Sequence, residues 1–467
     1  MINVIFGASM GGFRYLKDKC ETEIHYFCDN DPKKVGKRYF GIEVISAEKL
    51  NPKTHFIYIC SVYFADISKQ LRAKGYKSTD YKVVNPNFNL FISSKTEVHR
   101  FFKKCTQKGI DYSIIRNWED IFNDGDIGDV DIIIRDDHIL TFKKMIAPHL
   151  SNSGIKIDLY SVFGTSGYRF NNMPYFPLKL ANAFLENFRL VNGVKVPSED
   201  IELVGLLYHC LCYKGLAANI PLTIDAKLPY TRSLVDPTND YDKKIHNINS
   251  NLGSNKRLGC LLDYYQFLCD DNFMPSFDVY RKTITDDDVR NCVQNCDRVY
   301  QNCMEKAADY NLDDPNNRYL MLFLRSRVQE NGIRKALDTI IEQMYNRVKL
   351  VYSRQLNRQE RQISNSSVRG GNWVDDYGVR LNGEPVEIWI LKNISSSPLS
   401  DIQKKYFPFK LSDDTYFLKE EIRGELSNLI YNEDNLNVIH STDDNLELVY
   451  YCDILNVDLE CIIKTNS

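Results

Sequence analysis

The sequence lacks two features that would assign it to a membrane or to a nucleic acid. No apolar run approaches the roughly 20 residues that a helix needs to cross a bilayer. Its 59 basic and 62 acidic residues leave a formal charge of -3. No excess of positive charge therefore marks a surface for nucleic acid or anionic lipid. We expect neither a membrane span nor a nucleic-acid partner.

A disulfide framework and a secretion signal are also missing. The 13 cysteines are odd in number and irregularly spaced, which is typical of reduced thiols in the cytosol. Residues 1–7 contain neither a charged leader nor a cleavage site, and they have the pattern of a first β-strand. We therefore expect a cytoplasmic protein.

Composition and length place the chain among ordinary globular proteins. Hydrophobic residues make up 43% of the sequence and charged residues 26%, both typical of soluble domains. A chain of 467 residues is too long for one core and predicts about three domains. Neither value predicts the oligomeric state, so a homo-oligomer stays open.

Residues 1–95 alternate between strand and helix patterns, and the apolar segment 56–60 is typical of a buried parallel strand. A glycine turn follows the first strand, where backbone N–H groups at a helix start can bind a phosphate. An acidic residue about 20 positions later can bind a ribose hydroxyl. The residues predicted to bind a cofactor are Gly7, Gly11, Gly12 and Asp29.

The segment from Phe27 to Ile45 resembles the Rossmann-like domains attached to sugar-modifying enzymes of surface glycans. The resemblance implies a pocket for a nucleotide or nucleotide sugar, or a vestigial pocket. Glycines that serve only a tight turn are the alternative. A redox role is disfavoured, because the sequence offers no candidate catalytic Tyr–Lys pair.

Two strand patterns in the middle of the chain carry three aspartates. Asp129 and Asp131 alternate with apolar residues, so both carboxylates share one face of a strand. Asp158 has the same place in the strand pattern 155–160. Neighbouring carboxylates repel unless a cation lies between them, and oxygen ligands suit Mg²⁺ shared with substrate phosphates. The pattern predicts a site for one or two divalent ions and a nucleoside triphosphate. Exposed strand-end aspartates are the alternative.

Asp-x-Asp on one strand, with a third Asp on a later strand, resembles the polymerase-β-like nucleotidyltransferase superfamily. Segments 112–120 and 206–209 look like its bacterial branch found with surface-polysaccharide genes, and the resemblance covers residues 105–280. The catalytic metal ligands that it implies are Asp129, Asp131 and Asp158. The superfamily's upstream Gly-Ser or Gly-Gly pair, which binds the triphosphate, has no counterpart here. Only 124–126 and Gly128 supply glycine nearby.

Residues 281–352 are predicted to form a helical region. Thr285 precedes three aspartates, 286–288, which is typical of a capped helix with an acidic first turn. Valines and cysteines then follow at helical spacing. Residues 333–351 have the pattern of a second amphipathic helix. The polar segment 353–367 is either an exposed connection or a basic loop for phosphate.

The last segment, 353–467, contains a predicted strand at 384–391 and two motifs in a defined order. Ile422-Arg423-Gly424 precedes Asn437-Val438-Ile439-His440-Ser441-Thr442-Asp443. Together the two motifs resemble the second half of nucleoside diphosphate kinases. The resemblance implies a ferredoxin-like domain.

In that family the histidine is phosphorylated by a triphosphate donor, the arginine binds phosphate and the asparagine contacts the sugar. The resemblance places these roles on His440, Arg423 and Asn437. The Lys-Pro-Asp strand of the family's first half is not found, but Arg369 beside a glycine pair could cradle a phosphate instead. An ordinary strand-loop histidine is the alternative for His440.

The expected fold class is α/β and α+β, with several domains. They are a Rossmann-like parallel sheet (1–95), a nucleotidyltransferase-like α+β domain with helices (96–280), a helical region (281–352) and a nucleoside-diphosphate-kinase-like, ferredoxin-like domain (353–467).

The expected function is that of a Mg²⁺-dependent nucleotidyl- or phosphotransferase in bacterial surface-polysaccharide biosynthesis. Its cofactors would be Mg²⁺ and a nucleoside triphosphate, and its acceptor a sugar or polyol phosphate. One alternative is a phospho-alcohol transferase, similar to bacterial phosphorylcholine transferases, that decorates a glycan. Another is a non-catalytic scaffold that binds a nucleotide sugar.

Overall fold

The computed structural model divides the chain into two compact units that both combine helices and sheets. One unit comprises Met1–Tyr175 and Phe188–Val196, and the other Phe176–Asn187 and Pro197–Ser467. The expected mixed α/β, multidomain class is confirmed at this level. The structure describes residues 2–8, 12, 15–16, 23–61, 64–77, 80–83, 90–123, 127, 129–151, 154–164, 173–226, 241–254, 258–314, 317–330, 332–368, 383–395, 418–419, 422–423, 425–426 and 438–466.

The first sheet is almost entirely parallel. Its strands are β1 (Ile2–Phe6), β2 (Tyr26–Asp29), β3 (Arg38–Tyr39), β4 (Ile42–Ser46), β5 (His55–Ile59) and β6 (Tyr81–Val83), and α1 (Phe64–Ala73) connects β5 to β6. The order is β3-β4-β2-β1-β5-β6, and only β3 runs antiparallel to its neighbour. Successive residues of β1 point to opposite faces, and Val4 and Ile5 belong to two different buried clusters. Both faces of the sheet are therefore covered, as expected for a parallel sheet.

The second sheet carries its core on one face. Its strands are β7 (Leu90–Ile92), β8 (Tyr112–Ile114), β9 (Asp129–Ile134), β10 (Leu150–Ser151) and β11 (Ile155–Ser161), in the order β10-β7-β11-β9-β8. Helices α2 (Lys95–Gln107) and α3 (Ile139–Ile146) and the hairpin β12–β13 (Phe188–Val191, Val194–Pro197) contribute to the same buried cluster. Val130 and Ile132 belong to this cluster, so Asp129 and Asp131 of β9 point to the opposite face of the sheet.

A group of helices opens the second unit. They are α4 (Leu178–Glu186), α5 (Glu199–His209), α6 (Tyr241–Asn251), α7 (Leu261–Asp270), α8 (Phe277–Thr283), α9 (Asp287–Cys296) and α10 (Arg298–Asp309). In the described part of the chain, one helical stretch, Glu199–Ala218, is long and apolar enough to cross a membrane. Of its most apolar window 83% is buried inside the protein, which is the behaviour of a core helix.

The third sheet is antiparallel throughout. Its strands are β14 (Arg318–Arg325), β15 (Val348–Gln355), β16 (Pro385–Asn393) and β17 (Ile439–Ser441), in the order β15-β16-β14-β17. The accompanying helices are α11 (Ile333–Gln343), α12 (Arg358–Ser367), α13 (Asn445–Ile454) and α14 (Leu459–Asn466). Leu337 of α11 packs on one face of the sheet. On the other face the ring of Tyr451, from α13, contacts that of Phe323.

The predicted helical region 281–352 needs a correction, because it contains β14 and the start of β15. Residues 319–325 are buried without interruption, and periodicity cannot distinguish such an apolar run from a buried helix. The predicted connection at 353–367 is also wrong, since it contains the end of β15 and the whole of α12. Asn357 begins α12 with a capping box to Glu360, a signal that the sequence carried.

The cysteine-bearing helix in this region is two helices. Asp297 ends α9 and caps α10, because its side chain accepts the backbone N–H groups of Val299 and Tyr300. The valines and cysteines predicted at one helical spacing therefore do not continue along one helix axis, and Cys296 is exposed while Cys303 is buried. The first cap is Asp286, not Thr285, and its side chain accepts two backbone N–H groups of the first turn of α9.

Candidate functional site

The three aspartates predicted to bind metal lie side by side on two neighbouring strands. β9 and β11 are parallel, and their register places Asp158 opposite Asp131 and Lys156 opposite Asp129. Each of the three aspartates offers one carboxylate oxygen, and these oxygens lie within 4.8 Å of one another. We refer to Asp129, Asp131 and Asp158 as the acidic site. The structure thus brings together all three residues that the strand alternation selected.

Exposure changes across the acidic site. Asp129 is exposed, Asp158 is half-buried and Asp131 is buried. Burial, together with the charges of Asp129 and Asp158, raises the pKa of the Asp131 carboxyl from 3.8 to about 6. The Arg116 guanidinium opposes this rise in pKa. The site is therefore open on the Asp129 side and poorly solvated at Asp131.

Two basic side chains contact the acidic site. Arg116 Nη2 lies 2.7 Å from Asp131 Oδ2, and Lys156 Nζ lies 2.7 Å from Asp158 Oδ2. Asp131 Oδ1 is buried and accepts no hydrogen bond from any residue that the structure describes. Among the described residues these two cations balance two of the three carboxylates, and Asp131 Oδ1 is available to a further ligand.

Sequence reasoning assigned no role to these two basic residues, although local signals existed. Lys156 precedes Asp158 by two residues on the same strand and so shares its face. Arg116 is the second residue after β8, and the N–H of the intervening Ile115 donates to the carbonyl of Asp131 at 2.9 Å. The position of Arg116 depends on the antiparallel pairing of β8 with β9, which the sequence does not specify.

The donor set of the acidic site fits a hard divalent cation. Its ligands are carboxylate oxygens alone, which Mg²⁺ and Mn²⁺ prefer over nitrogen or sulfur ligands. The buried Asp131 Oδ1 is the observation that favours an ion, because a buried acceptor without a partner is costly. The residues that would hold the ion are those of the acidic site.

The glycine turn after β1 is shaped by chain packing. Gly7 has φ +121°, and a Cβ there would lie 2.7 Å from the carbonyl oxygen of Cys60. A Cβ on Gly12 would lie 2.0 Å from the carbonyl oxygen of Gly7. Both glycines are therefore required by contacts within the protein. Gly11 lies outside the described residues.

Asp29, the predicted ribose ligand, ends β2 and contacts the same turn. Its Oδ2 accepts the backbone N–H of Ala8 at 2.9 Å and lies 3.0 Å from Lys34 Nζ. Its Oδ1 accepts the N–H of Asp31. These contacts give the side chain a structural role, which favours the tight-turn interpretation. Nucleotide binding at this turn stays a prediction.

Two residues of the kinase-like motifs lie close together in the third sheet. His440 is on β17, opposite Phe323 of β14, and its half-buried ring is 6.2 Å from the Phe323 ring. Arg423 Nη2 donates to the carbonyl of Ile439 at 2.7 Å, one residue before the histidine. The other two predicted residues, Arg369 and Asn437, lie outside the described residues.

A second acidic cluster follows His440 and was not predicted. Lys282 Nζ lies 2.8 Å from Asp443 Oδ2 and 2.5 Å from Glu447 Oε1. Arg281 forms ion pairs with Asp444 and Glu447. We define the charge network as Arg281, Lys282, Lys419, Asp443, Asp444 and Glu447. It joins the start of α13 to α8, and every carboxylate in it has at least one cationic partner.

Comparison with known proteins finds no relative of this chain. No protein-family model matches the chain, and no curated protein and no solved structure matches it either.

Proposed function

We propose that the chain is a Mg²⁺-dependent nucleotidyl- or phosphotransferase whose reaction takes place at the acidic site. Its substrates would be a nucleoside triphosphate and a sugar or polyol phosphate used in bacterial surface-polysaccharide synthesis in the cytoplasm. The observation that supports the proposal is the convergence of Asp129, Asp131 and Asp158 within 4.8 Å. The unpartnered Oδ1 of Asp131 adds to it.

The arrangement suits transfer of a phosphoryl or nucleotidyl group. A bound Mg²⁺ would neutralise phosphate charge and align the attacking and leaving oxygens. Asp131 would hold the ion from the buried side and Asp158 from the neighbouring strand. Asp129 is exposed and would hold it where substrate enters. Lys156 supplies a positive charge beside the polyphosphate, where fixed cations stabilise developing charge.

Pyrophosphate or phosphate release tests this proposal. The full chain, Mg²⁺, a panel of nucleoside triphosphates and a panel of sugar and polyol phosphates would be combined. Asp131→Asn is expected to reduce turnover by at least about a hundredfold, as loss of a charge-stabilising group commonly does. Asp137→Asn is the matched control, because Asp137 is exposed and lies three residues beyond β9. Full activity of Asp131→Asn would refute the proposal.

Two further measurements, with an activated phospho-alcohol donor and a glycan acceptor and with a panel of nucleotide sugars, separate the two other interpretations of the chain. Transfer of a phospho-alcohol to a glycan, with no reaction on sugar phosphates, would favour the glycan-decorating transferase. A nucleotide sugar that raises the melting temperature without any turnover would favour the non-catalytic scaffold. In that case the N-terminal sheet would be the binding module.

A second candidate activity, phosphorylation of His440, is favoured by the third sheet. Its four strands, numbered along the chain, have the order 2-3-1-4 with antiparallel neighbours and a helix between the first two. This is the order of the ferredoxin-like split βαβ arrangement. A neutral imidazole is a good nucleophile near pH 7, and Arg423 is bonded to the neighbouring residue.

Labelling with γ-³²P-triphosphate tests the second candidate. We expect an acid-labile label that His440→Gln removes and that His246→Gln, a change at an exposed histidine, retains. Absence of label on the unmodified chain would reject phosphotransfer at His440 and would leave the proposal for the acidic site unaffected.

A further inference from the structure

Arg116 is the closest cationic neighbour of the buried aspartate among the contacts that the structure describes. Its Nη2 lies 2.7 Å from Asp131 Oδ2, and its side chain is only 13% exposed. The pairing of β8 with β9 fixes this position, because the preceding residue, Ile115, donates its N–H to the Asp131 carbonyl. The guanidinium is therefore held at the acidic site by backbone pairing.

The Arg116 guanidinium also contacts Tyr175, which packs on a second tyrosine, Tyr160. Arg116 Nη1 donates to the hydroxyl of Tyr175 at 2.7 Å, and Cζ lies 5.6 Å from the centre of that ring. The Tyr175 ring is 2% exposed and packs on Tyr160, with ring centroids 4.1 Å apart. Tyr160 is on the strand that carries Asp158. Arg116 would thus keep a partner if its contact with Asp131 were lost.

Charge and geometry together suggest how this arginine takes part. The three carboxylates exceed Arg116 and Lys156 by one negative charge, whereas a divalent ion would reverse the sign. A cation on Asp131 would repel the guanidinium and weaken its contact with this carboxylate. Arginine suits a phosphate, because its planar fork can bind two phosphate oxygens at once.

We infer that Arg116 competes with the divalent ion for Asp131 and, when displaced, binds the substrate polyphosphate while Tyr175 retains it. Arg116 would thus couple entry of the ion to capture of the triphosphate. It would also bind the triphosphate in place of the Gly-Ser or Gly-Gly pair, which has no counterpart in this sequence. This inference rests on the proposed function of the acidic site. A purely structural ion pair is the alternative.

Binding of Mn²⁺ alone, measured by electron paramagnetic resonance, distinguishes competition by Arg116 from a purely structural ion pair. The full chain, Arg116→Gln, Arg116→Lys and Asp131→Asn would be titrated with Mn²⁺ at pH 8. We expect Arg116→Gln to bind Mn²⁺ about tenfold more tightly than the unmodified chain, roughly 1.4 kcal/mol. Its KM for the triphosphate should rise about tenfold or more. Arg116→Lys should bind Mn²⁺ nearly as the unmodified chain does but bind the triphosphate more weakly, because lysine lacks the fork.

Each outcome supports or overturns a specific claim. Unchanged or weaker Mn²⁺ binding in Arg116→Gln, together with loss of binding in Asp131→Asn, overturns the inference and leaves the proposed metal site intact. Mn²⁺ binding that Asp131→Asn does not weaken overturns the proposed function itself. If Arg116→Gln does not fold, a KM for the triphosphate that Arg116→Lys leaves unchanged overturns the inference.

Discussion

Two clusters of three carboxylates, one in each unit, differ in how their charge is balanced. The acidic site has two cationic partners, an exposed member and a buried oxygen that accepts no hydrogen bond from a described residue. In the charge network three cations face three carboxylates, and every member is buried or nearly so. A balanced cluster holds elements together, whereas an unbalanced one can accept a ligand. The comparison therefore favours the acidic site over the charge network as the place of the proposed reaction.

The largest effect on stability is expected from unbalancing the charge network. Glu447 is completely buried and contacts both Arg281 and Lys282. Glu447→Gln should reduce the free energy of unfolding by about 3–5 kcal/mol, because it removes one of the two carboxylates that contact each of Arg281 and Lys282 and leaves one buried positive charge uncompensated. Denaturant unfolding of the second unit measures this. A decrease in the free energy of unfolding below about 1 kcal/mol would show that the ion pairs of Glu447 do not hold the charge network together.

The acidic site should make stability depend on pH in the absence of metal. The folded-state pKa of Asp131 is raised from 3.8 to about 6, so the folded state binds this proton more tightly than the unfolded chain does. Stability should therefore fall as pH rises from about 4 to 6, by about 3 kcal/mol from this group. Thermal unfolding across this range, in the presence of a chelator, measures the slope.

Asp131→Asn is the control for that slope, because an amide does not titrate. The variant should lose this part of the pH dependence and retain the contributions of other groups. An identical profile in the variant and the unmodified chain would contradict the raised pKa of Asp131.

Metal should stabilise one cluster and not the other. If Mg²⁺ binds the acidic site, a concentration ten times its dissociation constant adds about 1.4 kcal/mol, and the melting temperature should rise by a few degrees. Glu447→Gln should retain this increment, and Asp131→Asn should lose it. A rise that persists in Asp131→Asn would mean that the ion binds elsewhere.

The smallest effect is expected from a matched pair of lysine substitutions. Lys156 is 33% exposed in its pair with Asp158, whereas Lys282 is 11% exposed between Asp443 and Glu447. Lys156→Met should change the free energy of unfolding by less than about 1 kcal/mol, and Lys282→Met by several-fold more. Equal losses in the two variants would remove the distinction between the clusters.

Local periodicity predicted the acidic site better than it predicted the third sheet. The alternation in β9 and β11 selected Asp129, Asp131 and Asp158, and the structure places them on one face. The same reasoning missed β14, because Tyr319–Arg325 is buried on both faces and offers no alternation. A strand that is buried on both faces lacks the alternation of apolar and polar residues by which a half-buried strand is recognised.

The glycine turn shows a different limit. A glycine pattern at a strand end is the same whether the glycines admit a phosphate or a neighbouring carbonyl. Here Gly7 and Gly12 face backbone oxygens of Cys60 and of Gly7 itself, and Asp29 bonds the turn. Only the distances between chain segments distinguish the two roles.

The sequence by itself determined which side chains share a strand face, because that depends on a period of two residues along the backbone. It therefore determined that Asp129 and Asp131 are partners and that Asp158 has a matching position. Tertiary structure decided that β11 lies next to β9 in a register that sets Asp158 opposite Asp131, and that Arg116 approaches from β8. Register, burial and the resulting pKa depend on contacts between distant segments, which no local pattern encodes.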